Sequence, residues 1–218
     1  MANYRRSTPF FARPGMLLLL LAAAFGGGVF VGKNARTSTA VPVGTGSLKV
    51  YFSPHGGATR AIVRAINAAQ KQILVLAYAF TSQPIIHALV LAKHRGVQVI
   101  VVLDKSHIEH KRYYGRYRPD PAITAFRESG IPMYIDEKHA IAHNKVMLID
   151  HNTIITGSFN FTYAAANYNA ENMLVIRNMP QLFAQYDARF KHLEHISFPY
   201  HHGMKLHRRY ADHHYHHH

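Results

Sequence analysis

The chain has 218 residues, 25 Lys+Arg against 11 Asp+Glu for a formal net charge of +14, and no cysteine, which excludes disulfides and thiolate zinc sites. That length fits one domain with appendages, and a 48% hydrophobic content supplies a core. The basic excess favours polyanionic partners, either nucleic acid or an anionic membrane surface.

Residues 1–46 read as targeting sequence and linker. Arg5, Arg6 and Arg13 precede an apolar run over 16–32, MLLLLLAAAFGGGVFVG. Such a run is at the short limit for a membrane span and slightly long for the core of a signal peptide. Ser38 and Ala40 offer small residues for cleavage. The segment is therefore either a cleaved signal peptide or an uncleaved anchor. Arg5-Arg6 hints at a twin-arginine signal, but the following Ser-Thr-Pro departs from that pattern. Positive charge ahead of the apolar run places the remainder outside the inner membrane, periplasmic or secreted. Residues 33–47, rich in Gly, Ser, Thr, Ala and Pro, read as a flexible linker.

A first strand is expected over 47–52, closed by Pro54 and Gly56-Gly57. Helical spacing of Ile62, Val63, Ile66 and Ala69 predicts a helix over 58–70. A buried strand follows at 73–77. A helix over 84–95 has Pro near its first turn and Gly96 after it. Residues 97–103 form a strand apolar enough to be covered on both faces. A short helix over 122–129, a strand over 131–135, a hairpin of strands 145–149 and 153–156 turning at His151-Asn152, a strand over 173–177 and a closing helix over 181–195 complete the order. Strand and helix alternate, so the fold class is α/β, a mixed β-sheet sandwiched between helices. The globular domain is taken as 47–198 and a His-rich tail as 199–218.

Two segments lie apart from this order. Residues 105–118 read KSHIEHKRYYGRYR, where Lys105, Lys111, Arg112, Tyr113, Tyr114, Arg116, Tyr117 and Arg118 interleave cations and aromatics. Cations can track a phosphate backbone while tyrosines stack on bases, so this is a candidate substrate-binding rim. It would serve an anionic membrane equally well. Residues 201–218 carry eight histidines. That tail can bind Zn²⁺ or Ni²⁺, be a disordered basic tail, or be a tag remnant interrupted by Tyr215.

The most specific pattern is His143-x-Lys145 with Asp150 five residues on, then Gly157-Ser158-x-Asn160. His143 and Lys145 alternate on an extended segment and point to one side. Ser158 and Asn160 repeat that spacing. The hairpin between them brings Gly157-Ser158 back beside His143. Cationic and neutral donors gathered in this way suit a phosphate.

This pattern resembles the HKD signature of the phospholipase D superfamily, and most closely its short bacterial endonucleases of the Nuc type, over residues 47–198. The resemblance implies a phospholipase D-like fold carrying one HKD half-site per chain. It implies His143 as nucleophile forming a phosphohistidine, with Lys145 neutralising the transition state and Ser158 and Asn160 donating to the same phosphate. Glu171, 28 positions after His143, matches the Glu that orients the nucleophilic imidazole in those nucleases. Asp150 and Gly157 are expected to be structural. No cofactor and no catalytic metal are expected, since Lys145 and an imidazolium supply the charge that Mg²⁺ supplies elsewhere.

The single copy of the motif carries a consequence. Phosphodiester transfer through histidine needs one imidazole to attack and another to protonate the leaving oxygen. A chain with one motif obtains the second from a second copy, so a homodimer sharing one active site is expected. Three functions remain: an endonuclease of low sequence specificity, a lipid hydrolase acting on phosphatidylcholine or cardiolipin, and a non-catalytic nucleic-acid-binding module in DNA uptake or transfer.

Overall fold

The computed structural model describes residues 45–108, 112–113, 116–117 and 120–205. The expected leader and apolar run, Lys111, Tyr114, Arg118 and the end of the His-rich tail lie outside the described residues. In chain order the elements are β1 (Ser47–Ser53), α1 (Ala58–Ala68), β2 (Gln72–Ala77), α2 (Gln83–His94), β3 (Gln98–Asp104), β4 (Arg112–Tyr113) and β5 (Arg116–Tyr117). They continue with α3 (Pro121–Glu128), β6 (Met133–Asp136), β7 (Lys145–Ile149), β8 (Thr153–Gly157), α4 (Tyr163–Asn167), β9 (Glu171–Arg177), α5 (Pro180–Ile196) and β10 (Phe198–Pro199). No helix among the described residues is long and apolar enough to cross a membrane.

Eight of the described strands form one mixed sheet in the order β1-β9-β8-β7-β2-β3-β6-β10. β2, β3 and β6 run parallel. β7 returns antiparallel to β2, and β8, β9 and β1 continue antiparallel. Period-2 alternation divides the strand residues between two cores. Ile73, Val75, Val101, Leu103, Met147, Ile149, Ile155, Met173 and Val175 face one core, which α1, α2 and α3 complete through Ile62, Ile66, Ile85, Leu89 and Phe126. Leu74, Leu76, Val102, Val146, Leu148, Ile154 and Ile176 face the other, which α5 covers with Phe183, Phe190 and Leu193. The sheet is thus sandwiched, and its central strands are apolar because both faces are covered.

Several boundaries differ from the sequence reading. α1 stops at Ala68 instead of 70, because Ala69 turns extended and the N–H groups of Gln70, Lys71 and Gln72 are taken by the Asp150 carboxylate at 2.8, 2.8 and 3.0 Å. The β7–β8 turn is centred one residue earlier than His151-Asn152. Asp150 and His151 take positive φ (50° and 59°), and Asn152 N–H donates to Ile149 O. Two successive residues at positive φ match the twist of a tight hairpin. The fold also runs past residue 198: β10 pairs with β6, and Met204 is buried in the larger core. α4, β10 and the small β4–β5 hairpin were not foreseen, since each is too short to show a period.

Candidate active site

The termini of six neighbouring strands meet at one end of the sheet. The parallel strands β2, β3 and β6 end there at Ala77, Asp104 and Asp136. On the antiparallel side, β7 begins there at Lys145, β8 ends at Gly157 and β9 begins at Glu171. Carboxyl ends of parallel strands present loops and free backbone groups outside the sheet, which is where α/β folds build sites.

Lys145 lies at the floor, 6% exposed, and its Nζ donates to the His143 carbonyl at 3.0 Å. His143 is exposed. Tyr78, just past β2, packs against both. Its ring meets the His143 imidazole edge-on with centroids 4.6 Å apart, and Lys145 Nζ lies 5.0 Å from its ring centroid. Burial pushes the Lys145 ammonium below its usual range, and the charge of Glu171 opposes that by raising it.

Ser158 and Asn160 sit on the segment after β8, whose intervening Phe159 and Phe161 are buried. Those two phenylalanines anchor the segment, and Phe161 O accepts from Thr81 N and Ser82 N at 2.9 Å each. Asn160 between them and Ser158 before them are left partly or fully exposed. Ser158 N donates to Asn172 O, and Ser158 Oγ accepts from Asn172 N at 3.1 Å. Gly157 allows this close approach. A Cβ there would stand 2.3 Å from Asn172 O and 2.9 Å from Met173 Cα. Asn160 Oδ1 is buried and takes no hydrogen bond. Buried polar atoms are ordinarily satisfied by the fold.

Glu171 and Lys105 each bond a neighbour within the fold. Glu171 Oε1 accepts from Asn169 Nδ2 at 3.1 Å, and its charge acts on Lys145. A bond to the His143 ring is not among the contacts of the described residues. Lys105 is tied to the segment before His143. Its Nζ donates to the His139 carbonyl at 3.0 Å, four residues before His143. Of the remaining rim residues, Arg112–Tyr113 and Arg116–Tyr117 pair as a two-stranded hairpin. Asp150 lies apart from this edge, where burial pushes its carboxyl up. Hydrogen bonds from Gln72, Gln70 and Lys71, with the Lys71 charge, outweigh that and hold it below its usual range.

Sequence reasoning missed the groups that shape the segment before His143. Asp104, buried, accepts from Ser106 N at 2.9 Å and from Ala142 N at 2.7 Å. Asp136, buried, accepts from Lys138 N and His139 N, and from His139 Nδ1 at 2.8 Å. It missed Tyr78 as well. A polar or aromatic residue closing each of three apolar parallel strands was the signal that could have found them. Among the described residues no cluster of three or more His, Asp or Glu side chains could hold a metal ion.

Comparison with known proteins bears on this geometry. The family model described as "Cardiolipin synthase, PLD-like domain" matches residues 62–194. The chain is similar to a phospholipase D of Rickettsia typhi, 38% identical over 132 residues, covering 61% of each chain. It is similar to the human mitochondrial cardiolipin hydrolase, 32% identical over 123 residues, covering 56% of this chain and 46% of that protein. The matched region thus spans 61% and 46% of the length of these two curated relatives. Among solved structures it resembles Nuc from Salmonella typhimurium, a phospholipase D family member, at 37% identity and a TM-score of 0.62, covering 71% of this chain and 98% of that one.

Proposed function

The chain belongs to the phospholipase D superfamily, and we propose on that footing that it is a phosphodiesterase cleaving DNA or RNA through a phosphohistidine intermediate. The observation that carries this reading is an exposed His143 and a buried Lys145 ammonium that pack against the same Tyr78 ring. An imidazole that attacks phosphorus needs a fixed cation to take the charge that grows on the non-bridging oxygens. His143 forms the P–N bond, the leaving oxygen departs with a proton from a second imidazole, and water then attacks the phosphohistidine. Ser158 keeps its hydroxyl hydrogen free to donate, because its Oγ serves as acceptor toward Asn172. Asn160, two residues on, offers its amide N–H groups as further donors to the same phosphate.

A homodimer is part of the proposal, since His143 is the single histidine of the motif and a second is needed to protonate the leaving group. The leader over 1–46 keeps its reading as a signal peptide or anchor that delivers the domain outside the inner membrane.

Nucleic acid is favoured by the net charge of +14 and by similarity covering 98% of the Salmonella Nuc chain. A lipid substrate is the second reading, favoured by the cardiolipin hydrolase similarity and the apolar run over 16–32. The test is to incubate the protein in EDTA with labelled single-stranded DNA, duplex DNA, RNA and cardiolipin vesicles. Cleavage of nucleic acid with intact lipid is the expected outcome. Release of phosphatidic acid with intact nucleic acid would transfer the assignment to the lipid reading, and dependence on added Mg²⁺ would remove the phosphohistidine mechanism.

A further inference from the structure

Tyr78 touches both motif side chains, and its own backbone is held on both sides. Its N–H donates to Asn144 O at 2.9 Å, the residue between His143 and Lys145. Its carbonyl lies 3.1 Å from His107 Nε2. The other nitrogen of that ring, Nδ1, lies 2.8 Å from Asp120 Oδ2. Both partners are acceptors, so both ring nitrogens must carry hydrogen for both bonds to form. Asp120 is fixed in turn, because its Oδ1 accepts from Ala122 N and Ile123 N at the head of α3. The His107 side chain is 4% exposed. A buried ring bonded at both ends is a rigid strut, and its loss leaves acceptors unsatisfied.

We infer that Tyr78 is the positioning residue for His143 and Lys145, and that the His107–Asp120 pair is the strut that holds Tyr78 in place. This inference rests on the phosphodiesterase reading above. The ring does two things. Its edge-on contact limits rotation of the His143 imidazole, and its face lies under a desolvated ammonium, where the attraction between cation and ring quadrupole is strongest. His107 and Asp120 lie on either side of residues 108–119 in the chain, and their pair links both positions to Tyr78.

The experiment compares Tyr78→Leu, Tyr78→Phe, His107→Asn and His107→Gln in the full chain, with bis(4-nitrophenyl) phosphate as substrate and thermal melts as a check on folding. Misplacement of reacting groups acts on kcat, so Tyr78→Leu should lose about 10- to 100-fold in kcat with KM within about threefold. Tyr78→Phe keeps the ring and should stay within about threefold of the wild-type kcat, because neither contact uses the hydroxyl. A Gln Nε2 reaches where His107 Nε2 stands and an Asn amide does not. His107→Asn should therefore lose about tenfold in kcat, and His107→Gln should recover most of it.

Wild-type kcat in Tyr78→Leu, or equal losses in the Leu and Phe variants, would overturn the inference. Equal losses in the two His107 variants would remove the strut, and they decide the matter if Tyr78→Leu does not fold. If the wild type turns over no phosphodiester, the phosphodiesterase reading fails by itself. The inference is then read from inorganic phosphate affinity by calorimetry, where Tyr78→Leu should bind about tenfold more weakly than Tyr78→Phe, and equal affinity overturns it.

Discussion

The carboxylate of Glu171 counteracts the desolvation of Lys145. One residue opens β9 and the other opens β7, with β8 between them. Burial lowers the lysine and the Glu171 charge raises it, so the carboxylate helps to keep a buried ammonium charged. A site that works by neutralising phosphate oxygens needs that charge.

The sign of a pH effect follows. If charged Lys145 sets the alkaline limb of activity, removing the Glu171 charge leaves the lowering by burial unopposed. Glu171→Gln should move the alkaline limb of the kcat profile to lower pH, with about a tenfold loss at the optimum. An unmoved limb would show that the two residues are not coupled in function.

His143→Ala should abolish turnover, by at least about a thousandfold, while the melt and the oligomeric state stay as in the wild type. His143 is exposed and packs on Tyr78 alone among the described rings, so its loss removes little from the fold. More than trace activity would exclude it as nucleophile.

Asp150→Asn should destabilise the chain by about 2 kcal/mol, because three backbone N–H groups lose a charged acceptor. Its folded pKa is depressed, so its contribution is present above the unfolded value and is lost as pH falls through the folded one. Denaturant melts from neutral to acid pH should therefore converge for wild type and variant at the acid end. Curves that remain parallel would contradict this role.

Gly157→Ala should cost about 1–3 kcal/mol and weaken activity together with stability, since a Cβ would displace Asn172 O, which holds Ser158 N and Phe159 N. A variant with the wild-type Tm would mean that the strand pair separates more easily than its contacts imply.

Specific activity should fall on dilution below the dimer dissociation constant, because a single chain carries one motif histidine. Sedimentation run beside the activity assay checks this, and a fully active monomer would refute the shared site.

The sequence by itself determined the strands and helices whose apolar residues repeat. It also determined the motif residues whose spacing is local: His143 with Lys145, and Ser158 with Asn160 flanked by buried phenylalanines. Tertiary structure decided the rest, because those contacts join residues far apart in the chain. Asp104 reaches Ala142 across 38 positions, His107 reaches Tyr78 across 29, and Asp150 closes on Gln70 across 80. No local period encodes such pairs; strand order and register do. For the same reason the sequence shows Lys105 only as a candidate substrate-binding cation, while the fold adds its bond to the His139 carbonyl. Tyr78 follows the strand read at 73–77, and only the antiparallel return of β7 beside β2 sets its ring against His143 and Lys145.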